Sequence, residues 1–227
     1  NAGSGRIVFG SGSNPSTTNT IEYITAATTG DSADFGDLTR STSGIMGKSA
    51  SSFTRGFWAG GDTSADVIEY VTIVTTGNAT DFGDLTDSRQ AGSGSNSTRA
   101  VVWNNATDEG DTIDYFQMAS LGNAIDFGDS TQAFKAALVE SPTRSIHAGG
   151  LTPSLLDVID YVSFTTTGDA VDFGNLTSAG SAYAGISNST RGTFCGGTDP
   201  ALSARIQYIE MASTGNAIDY GDLSAAK

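Results

Sequence analysis

Five near-copies of one twelve-residue stretch limit what this chain can fold into. "TTGDSADFGDLT" (28–39), "TTGNATDFGDLT" (75–86), "SLGNAIDFGDST" (120–131), "TTGDAVDFGNLT" (166–177) and "STGNAIDYGDLS" (213–224) recur along 227 residues. A second anchor keeps the same beat. Ile21-Glu22-Tyr23, Ile68-Glu69-Tyr70, Ile113-Asp114-Tyr115, Ile159-Asp160-Tyr161 and Ile206-Gln207-Tyr208 lie 47, 45, 46 and 47 residues apart. Arg6, Arg55, Arg99, Arg144 and Arg191 follow nearly the same spacing. A fixed period of this length marks a repeat architecture, in which each unit buries its apolar faces against its neighbours.

Each unit reads as four short strands. The first is small and polar, as in "AGSGSNS" (91–97), "KAALVES" (135–141), "YAGISNS" (183–189) and the longer "SGIMGKSASS" (43–52). A turn then delivers the Arg and an apolar second strand, for example "RGFWAGG". The third, such as "VIEYVTIVTT" (67–76), is rich in β-branched and aromatic residues, and a Thr-Gly-Asn/Asp turn leads to the outer "DFGDL" strand. No segment has helical periodicity. Four-stranded units at this period predict an all-β, five-bladed β-propeller with four antiparallel strands per blade, one domain over 1–227. The small first strand suits the tapering centre. The opening "NAGSGR" reads as the end of an inner strand and the closing "DLSAAK" as the approach to one. The expectation is therefore a ring closed by the two termini, which removes open sheet edges.

Glycine (29 residues) outnumbers proline (4), which fits many tight turns between short strands. A formal net charge of −14 argues against nucleic acid or an anionic membrane surface as partner, since both require a basic face. No apolar run reaches the roughly 18–20 residues that span a bilayer. With a single cysteine, Cys195, neither an internal disulfide nor a cysteine metal cluster can form.

The order "RGxFxGG", variable loop, "xIEY", then an aromatic after a Gly-Asn/Asp turn resembles the kelch repeat. Gly60-Gly61, Gly149-Gly150 and Gly196-Gly197 match that family's di-glycine. Gly10-Ser11-Gly12 and Asn104-Asn105 depart from it. Tyr23, Tyr70, Tyr115, Tyr161 and Tyr208 match its tyrosine, while Phe35, Phe82, Phe127, Phe173 and Tyr220 stand where it has tryptophan. More narrowly, the tandem "DFGDLT" repeats resemble virion and tail-fibre proteins of tailed phages of marine cyanobacteria and their relatives. That resemblance implies a virion location, structural partners and many copies per particle.

The fivefold "DFGDL" offers paired carboxylates such as Asp34 with Asp37 and Asp81 with Asp84, which could be read as calcium ligands. A calcium site needs six to eight oxygens, so scaffolding is the expectation: the aromatic plugs the gap between blades and Gly83 permits a bulge or close approach. The recurring Arg is expected to form one structural ion pair per blade. His147, the only histidine, stands where sister units have Phe9, Trp58, Val102 and Phe194, which describes packing rather than a general base. Cys195 aligns with small or apolar residues and reads as a packed thiol, not a nucleophile. Glycosidase chemistry wants two carboxyls in unlike surroundings, and symmetric acids do not supply that. No cofactor, metal or catalytic residue is expected. Asn-X-Ser/Thr sequons at Asn78, Asn96, Asn105, Asn175 and Asn188 follow from turn-rich composition.

The blades differ most between their second and third strands, and loops set on a rigid frame are where binding residues concentrate. Trp103, Asn104, Asn105, Asp108, Glu109 and Asp111 form the richest such set, with an aromatic, amides and acids suited to a sugar. The competing reading packs Trp103 inward and leaves the rest solvated. The expected role is non-enzymatic: a virion component displaying variable loops to a host-surface glycan or to other virion proteins. The alternatives are a decoration or assembly module without a host ligand, or a free lectin.

Overall fold

A computed structural model describes residues 5–13, 15–43, 49–61, 65–104, 110–132, 137–151 and 153–226. The described residues contain antiparallel strands and no helix. Strands β1 (Arg6–Gly10), β2 (Thr18–Thr25) and β3 (Ala33–Thr42) form the first sheet, and β4 (Arg55–Ala59), β5 (Val67–Thr72) and β6 (Thr80–Asp84) the second. The third sheet orders β7 (Ala91–Ser95), β8 (Arg99–Asn104), β9 (Thr112–Gln117) and β10 (Ile125–Asp129) side by side. The fourth does the same with β11 (Ala137–Glu140), β12 (Arg144–Leu151), β13 (Leu155–Ser163) and β14 (Val171–Asn175). In the fifth, β15 (Ala184–Ser187), β16 (Arg191–Cys195), β19 (Arg205–Glu210) and β20 (Ile218–Asp222) pair in turn, and a small hairpin of β17 (Thr198–Asp199) and β18 (Ala201–Leu202) projects between β16 and β19. Apart from the β17–β18 hairpin, each sheet is thus an antiparallel meander of three or four strands, one per repeat.

Alternation along each strand sends one face to the preceding sheet and the other to the following one. In β4, Trp58 joins Ile21, Phe35 and Leu38 of the first sheet, while Phe57 joins Ala100, Val102 and Phe116 of the third. The apolar cores accordingly lie between consecutive sheets, not within them. Phe127 and Trp103 meet Leu138 and Val162 at the third seam, and Phe173 and Ile159 meet Phe194 and Ile209 at the fourth. Neither sheet of a pair could bury these faces alone, which is why the repeat must recur to be stable.

The "DFGDL" strand explains each seam. On β6, Gly83 pairs with Ile68 and Asp81 with Glu69, so Phe82 has no partner across the ladder and bulges out. The bulge turns its ring into the gap, where it is 3 % exposed. Burying a phenylalanine this way contributes about 2–3 kcal/mol. Gly83 itself sits at φ 148°, and a Cβ there would lie 2.5 Å from the carbonyl oxygen of Gly122 in the next sheet's turn. Only glycine permits that approach. Across the gap, Gly122 N–H donates to Phe82 O (3.0 Å), Ala124 N–H to Asp84 O (2.7 Å), and Asp84 N–H to Asn123 Oδ1 (3.2 Å). The same trio joins the first sheet to the second, the third to the fourth and the fourth to the fifth.

The described residues do not show the expected closure by the two termini, whose residues 1–4 and 227 lie outside them. Tyr220, the last counterpart of Phe82, is 63 % exposed, and the space a Cβ on Gly221 would enter is open. Among the described residues no strand stands inside β1, and the first and last sheets do not exchange the seam hydrogen bonds.

Candidate functional site

The recurring arginine does not make the expected ion pair with the "DFGDL" carboxylates. Arg55 on β4 faces Thr72 on β5, which places Tyr70 diagonally across on the same face. The guanidinium carbon of Arg55 lies 4.6 Å from the Tyr70 ring centre, and the other four arginines repeat this at 4.2–4.5 Å from their tyrosines. Such a contact is worth about 0.5–2 kcal/mol. Three of them also bond a carbonyl of the following sheet: Arg6 to Ile73 O, Arg55 to Met118 O and Arg144 to Met211 O, at 2.8–3.1 Å. The arginine is a pin between sheets.

The buried polar position is one that sequence reasoning passed over. Glu69, Asp114, Asp160 and Gln207, the central residues of the Ile-X-Tyr triplets, are each 0 % exposed. Each accepts the backbone N–H of the threonine that follows the preceding sheet's "DFGDL": Thr39, Thr86, Thr131 and Thr177. Two of them also hold a cation. Arg40 Nε lies 3.2 Å from Glu69 Oε1, and Arg89 Nη2 lies 2.5 Å from Asp114 Oδ2 with both side chains sealed from water. Burial, only partly offset by the Thr131 hydrogen bonds, raises the pKa of Asp160 above the ordinary carboxyl range. The signal was present in the sequence: five copies place Glu, Glu, Asp, Asp or Gln there, all side chains with an acceptor oxygen.

His147 on β12 is fully buried with its ring centre 4.9 Å from that of Trp103, and burial lowers its pKa to about 3. It is therefore neutral at ordinary pH and out of reach of substrate. Cys195 is half-buried, and burial pushes its thiol pKa up, away from the thiolate that nucleophilic chemistry uses. The "DFGDL" carboxylates serve local geometry: Asp126 Oδ1 and Asp172 Oδ1 each accept the N–H of the glycine two residues on, at 3.1 Å. Among the described residues no cluster of three or more His, Cys, Asp or Glu could hold a metal ion. Asn96 and Asn188 cap the turns before Arg99 and Arg191, accepting two backbone N–H groups each, which accounts for two of the sequons.

What differs from sheet to sheet is the rim formed by the second-to-third strand connections. Gly12 N–H donates to Thr42 O, Gly61 N–H to Arg89 O, Gly150 N–H to Gly180 O and Thr198 N–H to Ser181 O. Three of the loops therefore start tied to the segment that leaves their own sheet's outer strand, and the fifth sheet's loop is tied instead to the segment between β14 and β15. In the 103–111 set, Trp103 and Asn104 end β8 and are buried at 0 % and 4 % exposure. Trp103 Nε1 donates to Ser145 Oγ at 2.9 Å. Its ring fills the third seam and is not presented for stacking on a ligand. Asp111 is exposed, with its carbonyl accepting from Ser130 N–H at 2.7 Å. Asn105, Asp108 and Glu109 lie outside the described residues. A polar group with side-chain partners on the rim belongs to the fifth sheet instead. Asp199 Oδ2 lies 2.8 Å from Arg205 Nη1 and 2.5 Å from Ser178 Oγ, with Leu202 at the end of β18 67 % exposed.

No family model matches this chain, and no curated protein matches it in sequence. In structure it is similar to YjhT: 98 % of this chain superposes on 82 % of that one, with a TM-score of 0.72 and 12 % identity. At that identity the similarity concerns the fold, an all-β, propeller-like arrangement of successive meander sheets.

Proposed function

We propose that the five sheets are blades of a kelch-like β-propeller that acts, without catalysis, as a phage virion component. It displays its rim loops to a host-surface glycan or to neighbouring virion proteins. The observation that carries this reading is a division of labour within the repeat. The recurrent side chains are absorbed in the seams, as cation–π pins, bulged aromatics and buried hydrogen-bond acceptors. Individual chemistry is left to the second-to-third strand loops, as in the Asp199–Arg205–Ser178 group and exposed Asp111. The neutral, buried His147 and the symmetric use of the carboxylates support a non-catalytic role. The "DFGDLT" resemblance supports the virion, and multiple copies per particle would give avidity to weak single contacts.

The test is binding of the purified protein to a glycan array and to intact cyanobacterial cells, with and without calcium, alongside variants in which residues 105–111 or 198–203 are replaced by Gly-Ser. Selective binding lost in one loop variant supports display. Capture only by a coat protein replaces it with the decoration module, binding to free sugar with no particle partner favours a lectin, and turnover of an oligosaccharide refutes the non-catalytic reading.

A further inference from the structure

Among the described residues, the hydrogen bonds that join each sheet to its successor are not made between the last sheet and the first. The last sheet offers Tyr220 O and Asp222 O as acceptors and Asp222 N–H as donor, the groups that at other seams receive a Thr-Gly-Asn/Asp-Ala turn. Arg191, where Arg6, Arg55 and Arg144 each bond the following sheet, turns back on Glu210 of its own sheet, and both side chains are nearly half exposed. On the first sheet, Glu22 is partly exposed where its counterparts are sealed, and it accepts only the hydroxyl of Ser32. Apolar side chains accompany these polar groups. Tyr220 and Ile186 are 63 % and 62 % exposed on the last wall, and Ile7 and Phe9 are 48 % and 42 % exposed on the first. An open groove of about 630 Å³ runs over the last wall between Ile186, Arg191, Cys195, Ile206, Tyr220 and Leu223.

We infer that this pair of walls is an interaction surface for one further repeat of the same pattern. The occupant is a four-stranded unit that presents a Thr-Gly-Asn/Asp-Ala turn to the last sheet and an Asp-Phe-Gly-Asp strand to the first. The hydrogen-bond groups specify it: the last wall lacks a turn, the first wall's Gly30-Asp31-Ser32 turn lacks a bulged strand, and one repeat carries both. A second whole copy of the chain would satisfy one wall and leave another open, giving head-to-tail growth rather than closure. Tyr220 would then be covered as Phe82 is, and Arg191 would exchange Glu210 for a backbone carbonyl.

The experiment compares the 227-residue chain with the same chain extended after Lys227 by a copy of residues 178–224, and independently by a copy of 132–177. Mass is read by light scattering, and amide exchange is followed at Gly30, Ser32 and Asp222 against Gly77, Gly122, Gly168 and Gly215. The expected result is a monomeric extended chain in which exchange at the three wall amides slows by about 100-fold or more, while in the parent they exchange fast and the four internal glycines slowly. Slow wall exchange in the monomeric parent would mean that the chain closes on itself, and slow exchange only in a parent dimer would name a second copy. Either result overturns the proposal, as does fast wall exchange in both extended chains.

Discussion

Replacing Asp114 by Asn removes one charge from a place where its partner has nowhere to turn. Arg89 is 2 % exposed, its Nη2 lies 2.5 Å from Asp114 Oδ2, and its Nε and Nη1 have no hydrogen-bond acceptor. The amide oxygen of Asn can still receive Thr86, so the loss is that of the ion pair, with a cation left buried and uncompensated. Breaking such a pair costs about 3–5 kcal/mol. In a domain of this size that lowers Tm by about 10 °C. Asp160 occupies the equivalent place one sheet on, where Thr131 donates both its N–H and its hydroxyl, yet Oδ1 has no hydrogen-bond partner. Its pKa is raised chiefly by burial, so the folded state holds the proton more tightly than the unfolded chain does. Stability therefore falls as pH climbs from the ordinary carboxyl value of 3.8 through the raised one, and an Asn there removes that loss. Gln207 already makes the matching bonds as a neutral amide. Urea and thermal unfolding of wild type, D114N and D160N at pH 4 and 7 should thus show D114N strongly destabilised and D160N equal to or better than wild type at pH 7. Equal losses in the two variants, or a D114N within about 1 kcal/mol of wild type, would refute the reasoning.

Three further substitutions follow from the same structure. His147 has its pKa lowered to about 3, so acid protonates it first in the unfolded chain, and stability is lost as pH falls below 6.5 toward that value. His147→Phe, the residue that sister units carry, should flatten this part of the acid-unfolding curve by a few kcal/mol, and an unchanged slope would refute it. Arg55→Gln removes a 4.6 Å cation–π contact and the bond to Met118 O, and should cost about 1–2 kcal/mol in chemical unfolding. Arg191→Gln, which removes an exposed ion pair and a solvent-facing contact with Tyr208 but no bond to another sheet, should cost less than Arg55→Gln in the same assay.

The strands and their order were legible because period, turn residues and β-branched runs all pointed to the same unit. The bulge was legible as well, since a glycine after an invariant aromatic is what a close backbone approach requires. The role of the arginine was not, because its tyrosine partner lies diagonally across a ladder whose register the sequence does not state. The acceptor in the Ile-X-Tyr triplet was hidden by its charge: a carboxylate in a strand reads as a solvent-facing residue until the threonine and arginine of another repeat are placed beside it. Trp103 looked like a loop aromatic because it adjoins Asn104 and Asn105, but it is the last inward-facing residue of β8, and Ser145 satisfies its indole. Closure by the termini was inferred from edges that had to be covered; it rests on residues 1–4 and 227, outside the described residues, while Tyr220 at the last edge is 63 % exposed.

The account rests on seams that are alike between successive sheets and unmade at the outer walls, and one pair of substitutions measures this most directly. Gly83 and Gly221 share a left-handed backbone, at φ 148° and 135°, so alanine strains both alike. A Cβ at 83 meets the carbonyl of Gly122 at 2.5 Å, whereas at 221 nothing lies within 4 Å. In urea unfolding, Gly83→Ala should lose at least about 2 kcal/mol more than Gly221→Ala. Equal losses would mean that the last sheet is packed as tightly as the others, and the seam account would be wrong.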